Sequence, residues 1–371
     1  MFSVIHIISD TNIGGGGRSL LNYLACCDRS RFRMRVVLPR GSALKERVAA
    51  LNVPVEEIDA MADKSMDWKA IHPLTRILKR EKPDLVHTHG SLSGRIAARL
   101  AGCRVIYTRH CTFPPGKLLA SAPGRAANRL LDSLLSDGTI AIGSAAKDIL
   151  VSTGIPAEKI HVMLNGVAPL PIPSEEERKA LRADYGFTDG DFVVGILARV
   201  EEYKGHGILL DAVAELVKEG RPVKMLVAGQ GPYEDELRLR SLQLPEGAVV
   251  FAGFVTQVEK AFGAMDVQVN ASYLSEASPL SLLEGMSMGL PSVVSDIGGN
   301  PLHVTDGENG LIFPSQDSHA LACALARLMD DPDLRQAISR RAVEVFEKRF
   351  TGQAFARHLE EIYCDIRKGA N

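Results

Sequence analysis

The amino-acid sequence predicts an α/β protein built from two doubly wound parallel-sheet units. Short β-branched or aliphatic runs alternate with amphipathic helical patterns along the chain, the pattern of parallel sheets covered by helices on both faces. The alternation breaks once, near the middle, at a cluster of prolines and acids. A length of 371 residues overfills one core and suits two.

The first series of predicted strands lies at residues 3–9, 34–38, 84–88, 105–108, 139–142 and 160–163. Helical patterns separate them, as at 18–26, 44–51 and 92–101. After Asn165-Gly166-Val167 come Pro169, Pro171 and Pro173 and the run Glu175-Glu176-Glu177, where proline rigidity joined to solvated charge reads as a linker. A second series follows at 192–197, 224–228, 249–252, 267–270, 292–295 and 311–313. The expected domains are therefore 1–168 and 169–352, with a last helix at 353–367 crossing back to the first unit. Ligands of open α/β sheets sit beyond the carboxyl ends of the strands. Two such domains facing across a cleft would offer two strand-end rims to one ligand.

Bulk properties narrow the class. The chain is 46% hydrophobic and 24% charged, ordinary for a soluble globular protein. No apolar run approaches the roughly 20 residues of a membrane span. The first residues, Met1 to His6, read as a strand and lack the basic start and apolar stretch of a signal peptide. The six cysteines form no CxxC pair, which fits free thiols in a reducing, cytoplasmic setting and excludes a disulfide framework. Net charge is −2, yet residues 1–165 hold 23 basic against 14 acidic side chains and residues 166–371 hold 20 against 31. A positive first half suits an anionic acceptor or a peripheral position at the anionic inner face of a membrane. Arg29, Arg31, Arg33, Arg35 and Arg40 concentrate that charge, and the segment Phe113-Pro114-Pro115-Gly116-Lys117-Leu118-Leu119 offers apolar contact. Aromatic interleaving and recognisable nucleic-acid modules are missing, so nucleic acid is not an expected partner.

The residues that carry chemistry lie where predicted strands stop. After 267–270 the chain reads Ser275-Glu276-Ala277-Ser278-Pro279-Leu280-Ser281-Leu282-Leu283-Glu284-Gly285. Ser278 as a hydroxyl cap followed by Pro279 predicts a helix start, with Glu276 before it and Glu284 inside it. Unpaired N–H groups at such an end accept phosphate oxygens, and the two acids can bind hydroxyls on either side of a diphosphate. The same residues also fit an ordinary helix with acids near its dipole. After 192–197 come Arg199 and, five residues on, Lys204 with Gly205. Two cations at a strand-to-helix turn can clamp a diphosphate and stabilise it as a leaving group, although exposed loop cations are common.

In the first half, Gly14-Gly15-Gly16-Gly17 precedes a predicted helix and permits close approach to an anion; a generic glycine turn looks the same. His110 ends the strand at 105–108 and is placed to bond a sugar hydroxyl. His87 and His89 share a strand face, but a third metal ligand is not apparent and a metal-free cleft wall is preferred. Asp189-Gly190-Asp191 and Asp331-Pro332-Asp333 resemble metal-holding acid pairs, yet one precedes a strand and the other joins two helices. Gly229-Gln230-Gly231-Pro232 and Gly298-Gly299-Asn300-Pro301 are further strand-end loops.

In order and spacing, Arg199 with Lys204-Gly205, Gly229-Gln230-Gly231-Pro232, Glu276 and Glu284, Gly298-Gly299, and Asp306-Gly307-Glu308-Asn309-Gly310 resemble the retaining family-4 glycosyltransferases of GT-B fold, also called glycosyl transferases group 1. The resemblance implies two Rossmann-like domains facing across a cleft and a hexosyl- or N-acetylhexosaminyltransferase. Its donor would be a nucleotide-diphosphate sugar, a UDP-sugar by preference, and its acceptor a glycan or lipid-linked molecule in polysaccharide or glycolipid biosynthesis. It implies no bound metal and no cofactor besides the donor. It assigns catalysis to His110, Glu276, Arg199 and Lys204. Donor binding falls to Gly15, Gly16, Arg199, Lys204, Gly229, Gly231, Glu276, Pro279, Leu280 and Glu284. The family commonly carries a Gly-Gly-Ala-Glu type loop where this chain has Gly16-Gly17-Arg18. A nucleotide-sugar epimerase or hydrolase of similar fold, or a non-catalytic nucleotide-sugar binder, are the alternative readings.

Overall fold

The computed structural model describes residues 1–368. The chain divides into two compact units, Met1–Val167 together with the segment from Thr351 onward, and Ala168–Phe350.

The first unit runs β1 (Phe2–Ile8), α1 (Gly15–Cys26), β2 (Phe32–Pro39), α2 (Leu44–Ala50), β3 (Val55–Ile58), α3 (Trp68–Glu81), β4 (Leu85–His89), α4 (Leu92–Leu100), β5 (Val105–Arg109), α5 (Lys117–Ala120), α6 (Ala122–Leu135), β6 (Gly138–Ile142), α7 (Ser144–Ser152) and β7 (Ile160–Met163). Its seven strands pair in the order β3-β2-β1-β4-β5-β6-β7, and every pairing is parallel. Strands β1 and β4 are buried on both faces, β1 mostly apolar and β4 carrying His87, Thr88 and His89 inward, as befits a sheet covered on both sides. The edge strand β3, Val-Glu-Glu-Ile, was not expected; its central acids face partners at the sheet edge, where Arg35 and Arg80 reach Glu56 and Lys45 reaches Glu57.

The second unit runs α8 (Glu175–Asp184), β8 (Phe192–Leu197), α9 (His206–Lys218), β9 (Val223–Ala228), α10 (Glu234–Ser241), β10 (Val249–Gly253), α11 (Val258–Ala264), β11 (Val267–Asn270), α12 (Leu280–Ser287), β12 (Ser292–Ser295), α13 (Asn300–His303), β13 (Leu311–Phe313), α14 (Ser318–Asp330) and α15 (Pro332–Arg349). Six parallel strands take the order β10-β9-β8-β11-β12-β13. The acidic run expected in a linker is instead the first turn of α8. Ser174 and Glu177 form a reciprocal capping box there, and three acids sit favourably at the positive helix end. Arg178 and Arg182 then anchor α8 to Asp266.

The last helix, α16 (Gly352–Lys368), belongs to the first unit and packs on α1. Its Phe355, Leu359 and Tyr363 are buried. Burying such side chains stabilises by about 1.5–3 kcal/mol each.

Both strand orders reverse direction at one place, between β1 and β4 in the first unit and between β8 and β11 in the second. These are the topological switch points where open α/β sheets bind ligands. The unusual polar residues of each unit gather there.

Candidate active site

In the second unit the site starts from β8 and β11. Beyond β8, Arg199 leads into a short 3₁₀ turn, Glu202–Lys204, closed by Gly205. Gly205 has φ +78°, and a Cβ on it would stand 2.0 Å from the Ala271 carbonyl oxygen. Only glycine lets these two loops touch. Tyr273 N–H donates to the Tyr203 carbonyl across the same contact, at 2.9 Å. Lys204 is thereby delivered to the loop after β11.

There Lys204 Nζ lies 2.9 Å from Glu276 Oε2. Ser272 Oγ–H donates to the same oxygen at 2.9 Å and Asn270 Nδ2–H at 3.3 Å. Glu276 is 8% exposed. Burial pushes its carboxyl up, but the Lys204 charge and hydrogen bonds from Lys204, Ser272 and Asn270 outweigh it and hold the group below its usual value. Glu276 is therefore a buried anion, ionised at neutral pH. Its backbone is held as well. Gly299 N–H donates to the Glu276 carbonyl at 2.9 Å, and Gly298 and Gly299 approach residues 276 and 277 more closely than any Cβ allows.

Helix α12 begins directly after this loop. Its cap is Pro279 rather than Ser278, which corrects the expected start. The Ser278 hydroxyl bonds His303 Nε2, at 2.9 Å. Leu280 opens the helix and is buried; Glu284 lies one turn further in and is also buried. Close packing of α12 on β11, where Gln268 Nε2–H donates to the Leu282 carbonyl and to Ser292, aims the helix N-terminus at the strand ends.

The structure brings Lys204 and Glu276 into contact. It does not bring Arg199 to them, because Arg199 pairs with Glu201 at 2.9 Å and its side chain is 68% exposed. Gly229 and Gly231 back the Arg199 segment; Ala198 N–H donates to the Ala228 carbonyl, Val200 N–H to the Gln230 carbonyl, and a Cβ on either glycine would strike the 198 or 200 carbonyl. Ser272 and Asn270 are site residues that sequence reasoning missed, though both lie at the strand end already singled out.

The first unit's residues concern a different rim. The glycines expected before α1 form its first turn, since the helix starts at Gly15 with Gly14 as cap. Gly16 faces His110, whose ring would lie 3.4 Å from a Cβ at this position, and Asp10 flanks Gly16 on another side. Asp10, at the end of β1, is a further polar group that was not anticipated. His87 and His89 do share a face of β4, and His6 of β1 joins them, so a third histidine exists where none was apparent from sequence. The rings stack, with His87 and His89 4.2 Å apart at 27° and His6 and His89 5.4 Å apart at 21°. His6 and His87 are tilted at 42° with centroids 5.1 Å apart, and one nitrogen of each of the three rings lies within 4.8 Å of the others, a spacing that could also hold a metal ion. Within the cluster His6 Nδ1 lies 3.1 Å from His89 Nε2, within hydrogen-bond reach. Burial pushes His6 down to about 3 and His110 down to about 4, and His87 and His89 well below the usual range. The Asp189/Asp191 pair is used locally, Asp191 accepting from Thr188, and Asp331 caps α15.

Residues 13–169 match the family described as Glycosyltransferase Family 4, and residues 177–345 match Glycosyl transferases group 1. The chain belongs to the group 1, family 4 glycosyltransferases. Among relatives of this glycosyltransferase, the putative glycosyltransferase EpsD of Bacillus subtilis is 28% identical over 311 residues, 78% of this chain and 77% of that protein. The alpha-monoglucosyldiacylglycerol synthase of Streptococcus pneumoniae is 27% identical over 338 residues, 85% of this chain and 74% of that one. In fold, the glycosyltransferase is similar to Anabaena HepE, solved in complex with UDP-glucose, with a TM-score of 0.84 at 22% identity over 98% of this chain and 100% of that chain. A glycosyltransferase from Rickettsia africae gives 0.85 at 18% identity over the whole of both chains. These likenesses place the two parallel-sheet units in the GT-B fold class.

Proposed function

We propose that this glycosyltransferase moves a hexosyl or N-acetylhexosaminyl group from a UDP-sugar to a glycan or lipid-linked acceptor with retention of configuration and without a metal ion. The observation that carries the reading is the buried Lys204–Glu276 pair beside the N-terminus of α12, at the switch point of the second unit. Lys204 and the helix N–H groups supply positive charge for a diphosphate, which grows more negative as the glycosidic bond breaks. Such charge substitutes for a metal ion at the leaving group. Glu276 accepts from hydroxyls of the donor sugar, Glu284 from the ribose, and Arg199 releases Glu201 to add a second phosphate contact. Gly229, Gly231, Pro279 and Leu280 shape the walls by their close backbone packing. His110, with Gly15 and Gly16 beside it, supplies the first unit's contact to the transferred sugar. HepE, solved with UDP-glucose, supports a nucleotide-sugar donor, and the pneumococcal relative, named an alpha-monoglucosyldiacylglycerol synthase, supports a lipid acceptor.

A peripheral contact with anionic membrane on the cytoplasmic side is part of the proposal. Helices α5 and α6 expose Leu118 (82%), Leu130 (61%) and Leu134 (62%) alongside Lys117, Arg125 and Arg129. The basic run at β2 fits this role less well, because Arg35 and Arg40 are engaged with Glu56, Glu81 and Asp59. Free thiols at all six cysteines agree with a reducing compartment. Among the described residues no helix is long and apolar enough to cross a membrane.

The test is product analysis by NMR from UDP-sugar panels with EDTA present. An α-linked product from an α-configured donor is expected. An inverted product, or turnover that appears only when a divalent ion is added, overturns the reading.

A further inference from the structure

A line of imidazoles runs from the buried heart of the first unit to the site at its strand ends. Strand pairing builds it: β1 and β4 are in register with His6 opposite His87 and Ile8 opposite His89. Alternation along β4 sends His87 and His89 to one face. His6 Nδ1 lies 3.1 Å from His89 Nε2, and His89 Nδ1 lies 2.9 Å from His110 Nε2. His6 and His89 are buried, while His110 is only half-buried. The plane of His89 is set by His87 stacked on it, and His87 is itself held at both ring nitrogens, by Tyr363 Oη and Thr108 Oγ1, each at 2.6 Å. Tyr363 comes from α16, so the returning helix helps to fix the line.

Proton counting turns this geometry into a constraint. Three neutral imidazoles carry three N–H groups, and each of the two contacts uses one. His89 cannot accept at both nitrogens or donate from both while neutral. Only two arrangements remain, all protons directed outward from His6 or all directed inward. Inward, His6 Nε2 becomes an N–H donor, and this atom is buried without a hydrogen-bond partner. Outward, the same atom bears only an unused lone pair. Buried donors without an acceptor are the rarer fault, so the outward arrangement prevails.

We propose that His89 and His6 are positioning residues that hold His110 in the tautomer protonated on Nδ1, so that its open edge presents a hydrogen-bond donor to an oxygen of the transferred sugar. The first half of this statement concerns the free protein; the second rests on the proposed role of His110. Such second-layer control of a ring that meets substrate is the means by which a neutral histidine is given a fixed polarity. It explains why a line of imidazoles is kept inside a buried sheet, where each ring is more costly to bury than a hydrocarbon.

The experiment is ring-nitrogen NMR of the full chain labelled with 15N-histidine at pH 7.5, with His110 assigned by the signal lost in His110→Gln. The expected state is Nδ1 protonated and Nε2 bare. His89→Asn keeps an amide N–H near the Nδ1 position and is expected to retain the tautomer and kcat/KM within about threefold. His89→Leu and His6→Phe remove the directing donor; each is expected to mix the tautomers and to lower kcat by about tenfold, with thermal stability no lower than in the rescued His89→Asn protein. A His110 protonated on Nε2 in the native chain overturns the inference, as does an unchanged tautomer in His89→Leu. Normal turnover in His110→Gln would remove the sugar contact alone and leave the tautomer result standing.

Discussion

Replacing Lys204 by alanine separates the energetic and chemical roles of the second unit's central pair. In the native protein Glu276 is ionised, almost buried, and receives three donors on one oxygen. Removing Lys204 leaves its charge with two neutral donors, Ser272 and Asn270. Breaking a buried ion pair costs about 3–5 kcal/mol. The Lys204 side chain is 20% exposed and two donors survive, so the lower end, about 3 kcal/mol, applies. For a unit of this size that is a fall of roughly 6–12 °C in melting temperature. The pH dependence is distinctive. The native carboxyl sits below its usual value, so its contribution is present above about 4.5 and is lost as pH falls through the lowered value. In Lys204→Ala, burial prevails and the carboxyl rises, so the variant relieves its unpaired charge by binding a proton. The gap between the two proteins is therefore full at pH 7 and narrows toward pH 4. Thermal unfolding of both proteins across that range, with turnover assayed in parallel, provides the readout. An equal gap at pH 7 and pH 4.5, or no gap, refutes a buried pair.

Three other outcomes are expected. His6, His110, His206 and His303 are pushed by burial down to about 3 or 4, below the unfolded value, so the stability they support is full above pH 6.5 and drains as pH falls. Each loses about 1.2 kcal/mol between pH 7 and 5.5, so urea unfolding is expected to show a combined loss of about 5 kcal/mol from these four; a flat profile contradicts burial of neutral rings. Gly299→Ala sets a Cβ 1.7 Å from the Ala277 carbonyl and must displace the loop that carries Glu276, lowering turnover by about tenfold or more, while Gly190→Ala, in open surroundings, leaves the rate unchanged. Leu130→Glu with Leu134→Glu alters two residues more than 60% exposed and is expected to abolish flotation with anionic liposomes while sparing the fold; unaltered flotation removes α6 from membrane contact.

The second unit was nearly transparent to sequence reasoning, and for a physical reason. Its strands at 192–197, 267–270, 292–295 and 311–313 coincide with β8, β11, β12 and β13 because each is a short segment centred on Val, Ile or Leu between helical patterns. Lys204 and Glu276 were found because both lie at strand ends, the place where the fold presents chemistry. The edge strand β3 was hidden by its two glutamates, which find partners across the edge instead of burial. Ser278 carried the helix-start signal, yet the cap falls one residue later, at Pro279. His6 was missed for a deeper reason. It looks like one more residue of an opening strand, and its meaning appears only when β1 pairs with β4, more than seventy residues away, a pairing that no local pattern encodes. Arg199 shows the converse, since its strand-end position was legible but its engagement with Glu201 was not.

Titration calorimetry of UDP into the full chain with EDTA present, comparing the native protein with Lys204→Ala, bears most directly on the second unit as a metal-independent diphosphate site. A charge-assisted contact to phosphate contributes about 1.5–3 kcal/mol, so the native protein should bind saturably and the variant roughly 10- to 100-fold more weakly. Equal affinity in the two proteins, or binding that appears only on adding a divalent ion, would contradict it.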